Sequence, residues 1–223
     1  MELTKEQIQY IDKRLQTEGV KFWDIRIEML DHVVSDVEIK LEKEEEFKKL
    51  VQKSFVSLGW KDSFKDLTKR RLLGINKIVR KQYFNKVKEL ITNLDSIFII
   101  LLFGILYYST IFVSTINLFK TTTIILLLGP VIYGVFLNFK EVLSQKKSGY
   151  LTYSSFYVFF SFLLLNGVIQ FVKPEGIISV SKETQLLVWY IVTVLNSIFT
   201  YAGVLVHLKT LKKIKIIELN LFS

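Results

Sequence analysis

From residue 97 onward the apolar side chains gather into four long runs, Ile97–Val113, Thr123–Phe139, Tyr150–Val172 and Thr184–Leu208, none with a central Asp, Glu, Lys or Arg. A bilayer core about 30 Å thick takes roughly 17 to 25 residues of helix, and each run falls in or near that window. The pattern predicts four membrane-spanning helices. Upstream the apolar positions recur with helical period instead. Leu3, Ile8, Ile11 and Leu15 follow that spacing around Thr4 and Gln7, which fit a capping box, so a first helix is expected from Lys5 to about Thr17. Gly19 stops it. Trp23, Ile27, Leu30, Val34, Val37 and Leu41 then step by threes and fours, which predicts an apolar stripe on a second helix of about twenty residues. A third helix is expected to carry Phe47, Leu50, Val51, Ser54, Phe55 and Leu58 and to end at Gly59.

Between these helices and the first run, Phe64, Leu67, Ile75, Ile78, Val79, Phe84, Val87 and Leu90 are interleaved with ten cationic side chains. One or two amphipathic helices are expected there, with Gly74 allowing a bend. Lys69, Arg70, Arg71, Lys77, Arg80 and Lys81 are candidates for contact with lipid headgroups. Anionic lipids are the expected partner, because each basic side chain near the surface contributes about 1 kcal/mol of attraction. A solvated linker that only enforces topology is the plainer alternative. Nucleic acid is not an expected partner, since no helix-turn-helix signature or other readout motif accompanies the charge.

The expected fold class is all-α, an integral membrane four-helix bundle with an N-terminal cytosolic helical domain. Its predicted parts are a three-helix head over residues 1–60, a basic arm over 61–92, the bundle over 93–208 and a basic tail over 209–223. Net charge changes this picture by fixing an orientation. The formal charge of +9 sits largely beside the runs. The arm carries ten basic residues, the middle loop Lys140, Lys146 and Lys147, and the tail Lys209, Lys212, Lys213 and Lys215, whereas the other two connections hold Lys120 alone and Lys173 with Lys182. By the positive-inside rule the head, the middle loop and the tail face the cytoplasm. The N-terminal stretch has charges of both signs and no apolar core, so no cleavable signal is expected.

Glu28, Leu30, Asp31 and His32 on the second helix, followed by a helix that closes with Leu58 and Gly59, resemble the motif of the small helical prefix domain called HAAS, or permease prefix domain, found at the N-terminus of bacterial membrane proteins. The resemblance covers residues 4–60. The family usually has a glycine and then Glu-Ala between the two helices, where this chain has Lys43, Glu44, Glu45, Glu46 and Phe47. Members are commonly encoded beside a PadR-type transcription regulator or fused to a transporter permease. The resemblance thus implies a regulatory or accessory role and supplies no reaction.

Candidate chemistry is sparse. The chain has no cysteine, which excludes disulfides and thiol nucleophiles, and it shows no P-loop, GxSxG or HExxH pattern. No catalytic residue, metal site or cofactor is expected. Glu28 and His32 share a helix face beside Asp31, but only one other histidine exists, His207, so His32 is expected to hydrogen-bond within the head or to a neighbouring helix. Glu28, Asp31, His32 and Asp36 are the candidates for a partner-facing surface. In the bundle, Asn166 and Gln170 share one face and Thr193, Asn196 and Thr200 another, a polar seam suited to interhelical hydrogen bonds. The leading expectation is a bacterial inner-membrane regulatory or accessory protein whose head contacts a cytosolic or membrane protein, or a second copy of itself. The alternative is an oligomeric transporter subunit for small molecules or lipids, with Asn166, Gln170 and Asn196 along the path.

Overall fold

Thr4 opens the first helix as its spacing to Gln7 predicts. Gln7 donates its backbone N–H to Thr4 Oγ1 at 3.3 Å, and Thr4 donates its own to Gln7 Oε1 at 2.8 Å. Such a cap is worth about 1 kcal/mol. The computed structural model describes residues 2–41, 47–60, 64–113, 116–143 and 147–222. Among them the chain is all-α, with α1 (Lys5–Thr17), α2 (Trp23–Lys40), α3 (Phe47–Ser57), α4 (Phe64–Thr92), α5 (Leu94–Val113), α6 (Ile116–Leu143), α7 (Gly149–Phe171) and α8 (Lys182–Phe222). The family-motif segment at Lys43–Glu46 lies outside the described residues, as does Lys146.

Two compact units emerge. Met1–Lys77 with Ser144–Thr152 forms one, and Ile78–Leu143 with Tyr153–Ser223 forms the other. In the first, Gly19 and Gly59 follow α1 and α3 with φ of 96° and 73°, a left-handed backbone that glycine adopts without a Cβ clash. The core of α2 is not the stripe its spacing suggested. Trp23, Ile25, Met29, Val33 and Val37 are buried, while Ile27, Leu30 and Val34 are only half-buried. The helix is apolar around more than one face, and packing against both α1 and α3 centres burial on the face bisecting its two neighbours. Arg26 Nε donates to Asp12 Oδ1 at 2.6 Å, and Leu3 N to Glu38 Oε1 at 3.0 Å, tying α2 to the first helix and its entry.

The arm is a single helix. α4 runs through Gly74 without a break and buries Thr68, Ile75, Val79, Tyr83, Val87 and Leu90 at steps of seven, four and three. Asn93 then separates α4 from α5, accepting the Ser96 N–H at 3.1 Å as a helix cap.

Among the described residues four helices are long and apolar enough to cross a membrane, over Leu94–Phe112, Leu118–Phe136, Gly149–Phe171 and Lys182–Ile217. The protein is a multi-pass membrane protein with a helical bundle. The outward rows of α5 and α6, including Phe98, Ile105, Ile125 and Phe136, are exposed as a lipid-facing surface requires. Pro130 sits inside α6, whose helix continues on both sides of it. α8 extends for 41 residues, so the basic tail is the continuation of the last span and not a separate segment. Helices pack through small residues and aromatic rings. A Cβ added at Gly203 of α8 would lie 2.4 Å from the carbonyl oxygen of Tyr157 in α7, so only glycine permits this approach. Tyr107 stacks on Phe119 and Tyr190 at 5.2 and 5.5 Å and hydrogen-bonds Thr123 at 2.5 Å.

Candidate functional site

The most elaborate polar arrangement in the first unit centres on Asp24, which the sequence did not single out. Its Oδ2 accepts from Ser148 Oγ at 2.9 Å and from Tyr150 N at 3.1 Å, and its Oδ1 accepts from Gly149 N at 3.0 Å and from Ile25 N at 3.0 Å. Ser148 Oγ in turn accepts from Leu151 N at 3.2 Å. The first amides of α7, which have no partner inside their own helix, are therefore satisfied by one carboxylate and one hydroxyl. Negative charge at a helix N-terminus also meets the positive end of its dipole. Trp23 N donates to Lys147 O at 2.9 Å, fastening the start of α2 to the same segment. Ser148 before a glycine and an apolar run is a readable capping signal, but nothing local reveals a carboxylate more than a hundred positions upstream.

The partner-facing candidates divide. Glu28 is exposed and pairs with Arg71 of α4, one of the six headgroup candidates. Asp36 is part-buried and accepts from Lys40 Nζ at 2.7 Å and from Ser57 Oγ at 3.3 Å. Burial works to raise its carboxyl, but the Lys40 bond and charge together with the neighbouring serine hydroxyls outweigh that and hold it below the usual carboxylate range. Its contribution to stability is therefore present above that range and lost as pH falls through the lowered value. Asp31 and His32 are exposed. With Ser35 and Ile39 they form one solvent-facing row along α2, and Ile39 is 84 % exposed.

Lys69, Arg70, Lys77, Arg80 and Lys81 are exposed, away from the buried row of α4. That row includes Tyr83, whose ring lies 4.8 Å from that of Tyr157. Burial, and then the neighbouring Tyr157, push the Tyr83 phenol well above its ordinary value, so it stays protonated.

In the bundle, Asn196 and Thr200 are buried and meet Ser161 of α7, whose Oγ donates to Asn196 Oδ1 at 2.9 Å and lies 3.0 Å from Thr200 Oγ1. Thr193 is buried on the same side of α8. Ser154 Oγ lies 2.8 Å from Nδ1 of the buried His207, extending the seam by two turns. Asn166 is half-buried and Gln170 exposed, and neither joins these hydrogen bonds. Ser154 and Ser161 were missed because isolated serines in an apolar run carry little signal until the facing helix is known. Among the described residues no group of three or more His, Cys, Asp or Glu could hold a metal ion. No protein-family model, curated protein or solved structure matches the chain.

Proposed function

We propose that this chain is a regulatory or accessory protein of the bacterial inner membrane, with both termini cytoplasmic, acting through contacts between its helical head and another protein. The observation that carries this reading is the solvent-facing row of α2. Asp31, His32 and Ser35 lead along one helix face to an apolar side chain, Ile39, that is 84 % exposed. An exposed apolar anchor flanked by polar residues suits a recognition surface. The HAAS-like motif shares two residues with this row, and it adds the regulator-linked setting. The excess of basic residues on the head side, in the middle loop and in the tail supports the orientation. Exposed cations along α4 support contact with anionic lipid. The alternative of a translocation path draws less support, because Ser161 of α7 bonds both Asn196 Oδ1 and Thr200 of α8, as groups that hold helices together do, although Asn196 Nδ2 has no partner among the described residues.

The test is site-specific photocrosslinking in intact cells. A photoreactive side chain at Ile39 of the full chain should trap one discrete heavier species, while the same group at exposed Lys13 on α1 should not. No adduct at Ile39, or the same adduct from both positions, contradicts the reading. An adduct of twice the chain's own mass replaces a foreign partner with a second copy.

A further inference from the structure

In the second unit, the end of α4 with α5, α6 and α8 enclose an open cleft of about 840 Å³. That lies within the range of about 300 to 1,000 Å³ typical of ligand pockets. Its walls are overwhelmingly apolar, yet one end holds charge. Lys86 Nζ and Glu89 Oε1 line it 2.6 Å apart, beside Ser96 at the start of α5. The opposite end is marked by Phe103 of α5 and Leu126 of α6. Tyr107 of α5 meets Thr123 of α6, and this antiparallel register sets Ser96 level with Tyr133, another lining residue. Tyr133 therefore stands at the charged end, at the level where amphipathic aromatic rings favour a membrane interface. From Leu94, where the first span starts, to Phe103 is a rise of about 14 Å at about 1.5 Å per residue. One leaflet of a core about 30 Å thick is roughly 15 Å deep. The cleft is thus one leaflet deep, apolar inside and charged where headgroups lie.

We infer that this cleft is a binding site for a single glycerophospholipid bearing a zwitterionic headgroup with a primary amine, from the leaflet on the side of the α4–α5 junction. The headgroup follows from charge complementarity. Lys86 and Glu89 form a neutral pair, so an anionic headgroup would find its cation already compensated. A zwitterion answers both, with its phosphate on Lys86 and its ammonium donating to Glu89. A quaternary amine has no N–H to give and meets Glu89 less well. One acyl chain occupies the apolar depth. The site is separate from the recognition row of the head and stands or falls without it.

The experiment uses the full-length protein in detergent, titrated separately with phosphatidylethanolamine, phosphatidylcholine and phosphatidylglycerol, with bound lipids counted by native mass spectrometry. The wild type should retain one phosphatidylethanolamine at least about tenfold more tightly than either other lipid, a difference of about 1.4 kcal/mol. Glu89→Lys should reverse the order in favour of phosphatidylglycerol. Gly129 lines the cleft, and a Cβ added there meets nothing within 4 Å, so Gly129→Phe should fill the space, keep the melting temperature and lose the retained lipid. Equal retention of the three lipids overturns the proposal. So does an unchanged order in Glu89→Lys, which is readable even if the filled variant fails to fold.

Discussion

Asp24 in the second helix of the head and Ser148, 124 positions later, share a hydrogen bond of 2.9 Å, and between them they cap the first turn of the third membrane-spanning helix. Three of the four bonds to the Asp24 carboxylate come from residues 148 to 150, so the start of that helix is fixed by a side chain of the head.

Removing this carboxylate should loosen the start of α7 before anything else. Asp24→Ala should cost about 1–3 kcal/mol, the range for losing charged hydrogen bonds and stranding their buried partners. Asp24→Asn, which keeps one acceptor oxygen, should cost less. Hydrogen exchange in detergent checks this directly: the Tyr150 and Leu151 amides should lose protection in the alanine variant while amides late in α7 keep theirs.

The shifted core of α2 gives a second test. Met29 is fully buried and Leu30 only half-buried, so Met29→Ala should destabilise the head by about 2–5 kcal/mol and Leu30→Ala by clearly less. Thermal melts of the two full-length variants, followed through the fluorescence of Trp23 and Trp60 in the same unit, should rank them in that order. The reverse ranking would restore the stripe read from spacing.

Gly203 brings the backbone of α8 close to α7, with the Tyr157 carbonyl 2.4 Å from where a Cβ would stand. Because backbone and not a flexible side chain occupies that space, Gly203→Ala should cost about 1–3 kcal/mol by overpacking. Ser197→Ala on the same helix should be close to neutral, since among the described residues its hydroxyl bonds the Thr193 carbonyl one turn back and no side chain of another helix. Melting temperatures of the two variants in detergent measure the contrast.

Much of this architecture was legible beforehand. The capping box at Thr4, the stop at Gly19, the third helix ending before Gly59 and the four apolar runs all rest on local spacing, and local spacing is what a sequence displays. Where the outcome depended on partners distant in the chain, spacing gave less. The buried face of α2 is set by two flanking helices. Asp24 acquires its role only because the segment at Ser148 folds onto it. The seam was half legible: Asn196 and Thr200 stand out as polar residues in an apolar run, whereas Ser161 is ordinary until it is seen facing them. Gly74 and Pro130 show the converse, since residues that weaken isolated helices sit within long continuous ones here.

Orientation is open to a direct test because the chain has no cysteine of its own. Single cysteines at exposed Lys21, Lys147 and Ser179 should separate the faces; Ser148 is buried in the cap and unsuited to labelling. An impermeant thiol reagent applied to intact cells should reach Ser179→Cys and spare the other two until the membrane is opened. Labelling of Lys21→Cys from outside would invert the topology.

Recognition of another protein by the exposed row of α2 is the step on which the proposed function depends. It is tested most directly by affinity purification of the tagged full-length chain from native membranes, with quantitative mass spectrometry comparing the wild type with an Asp31→Lys, Ile39→Asp variant of equal expression and melting temperature. One protein should be enriched with the wild type and fall at least about tenfold with the variant, as loss of a recognition anchor requires. An identical set of co-purifying proteins from both would contradict it.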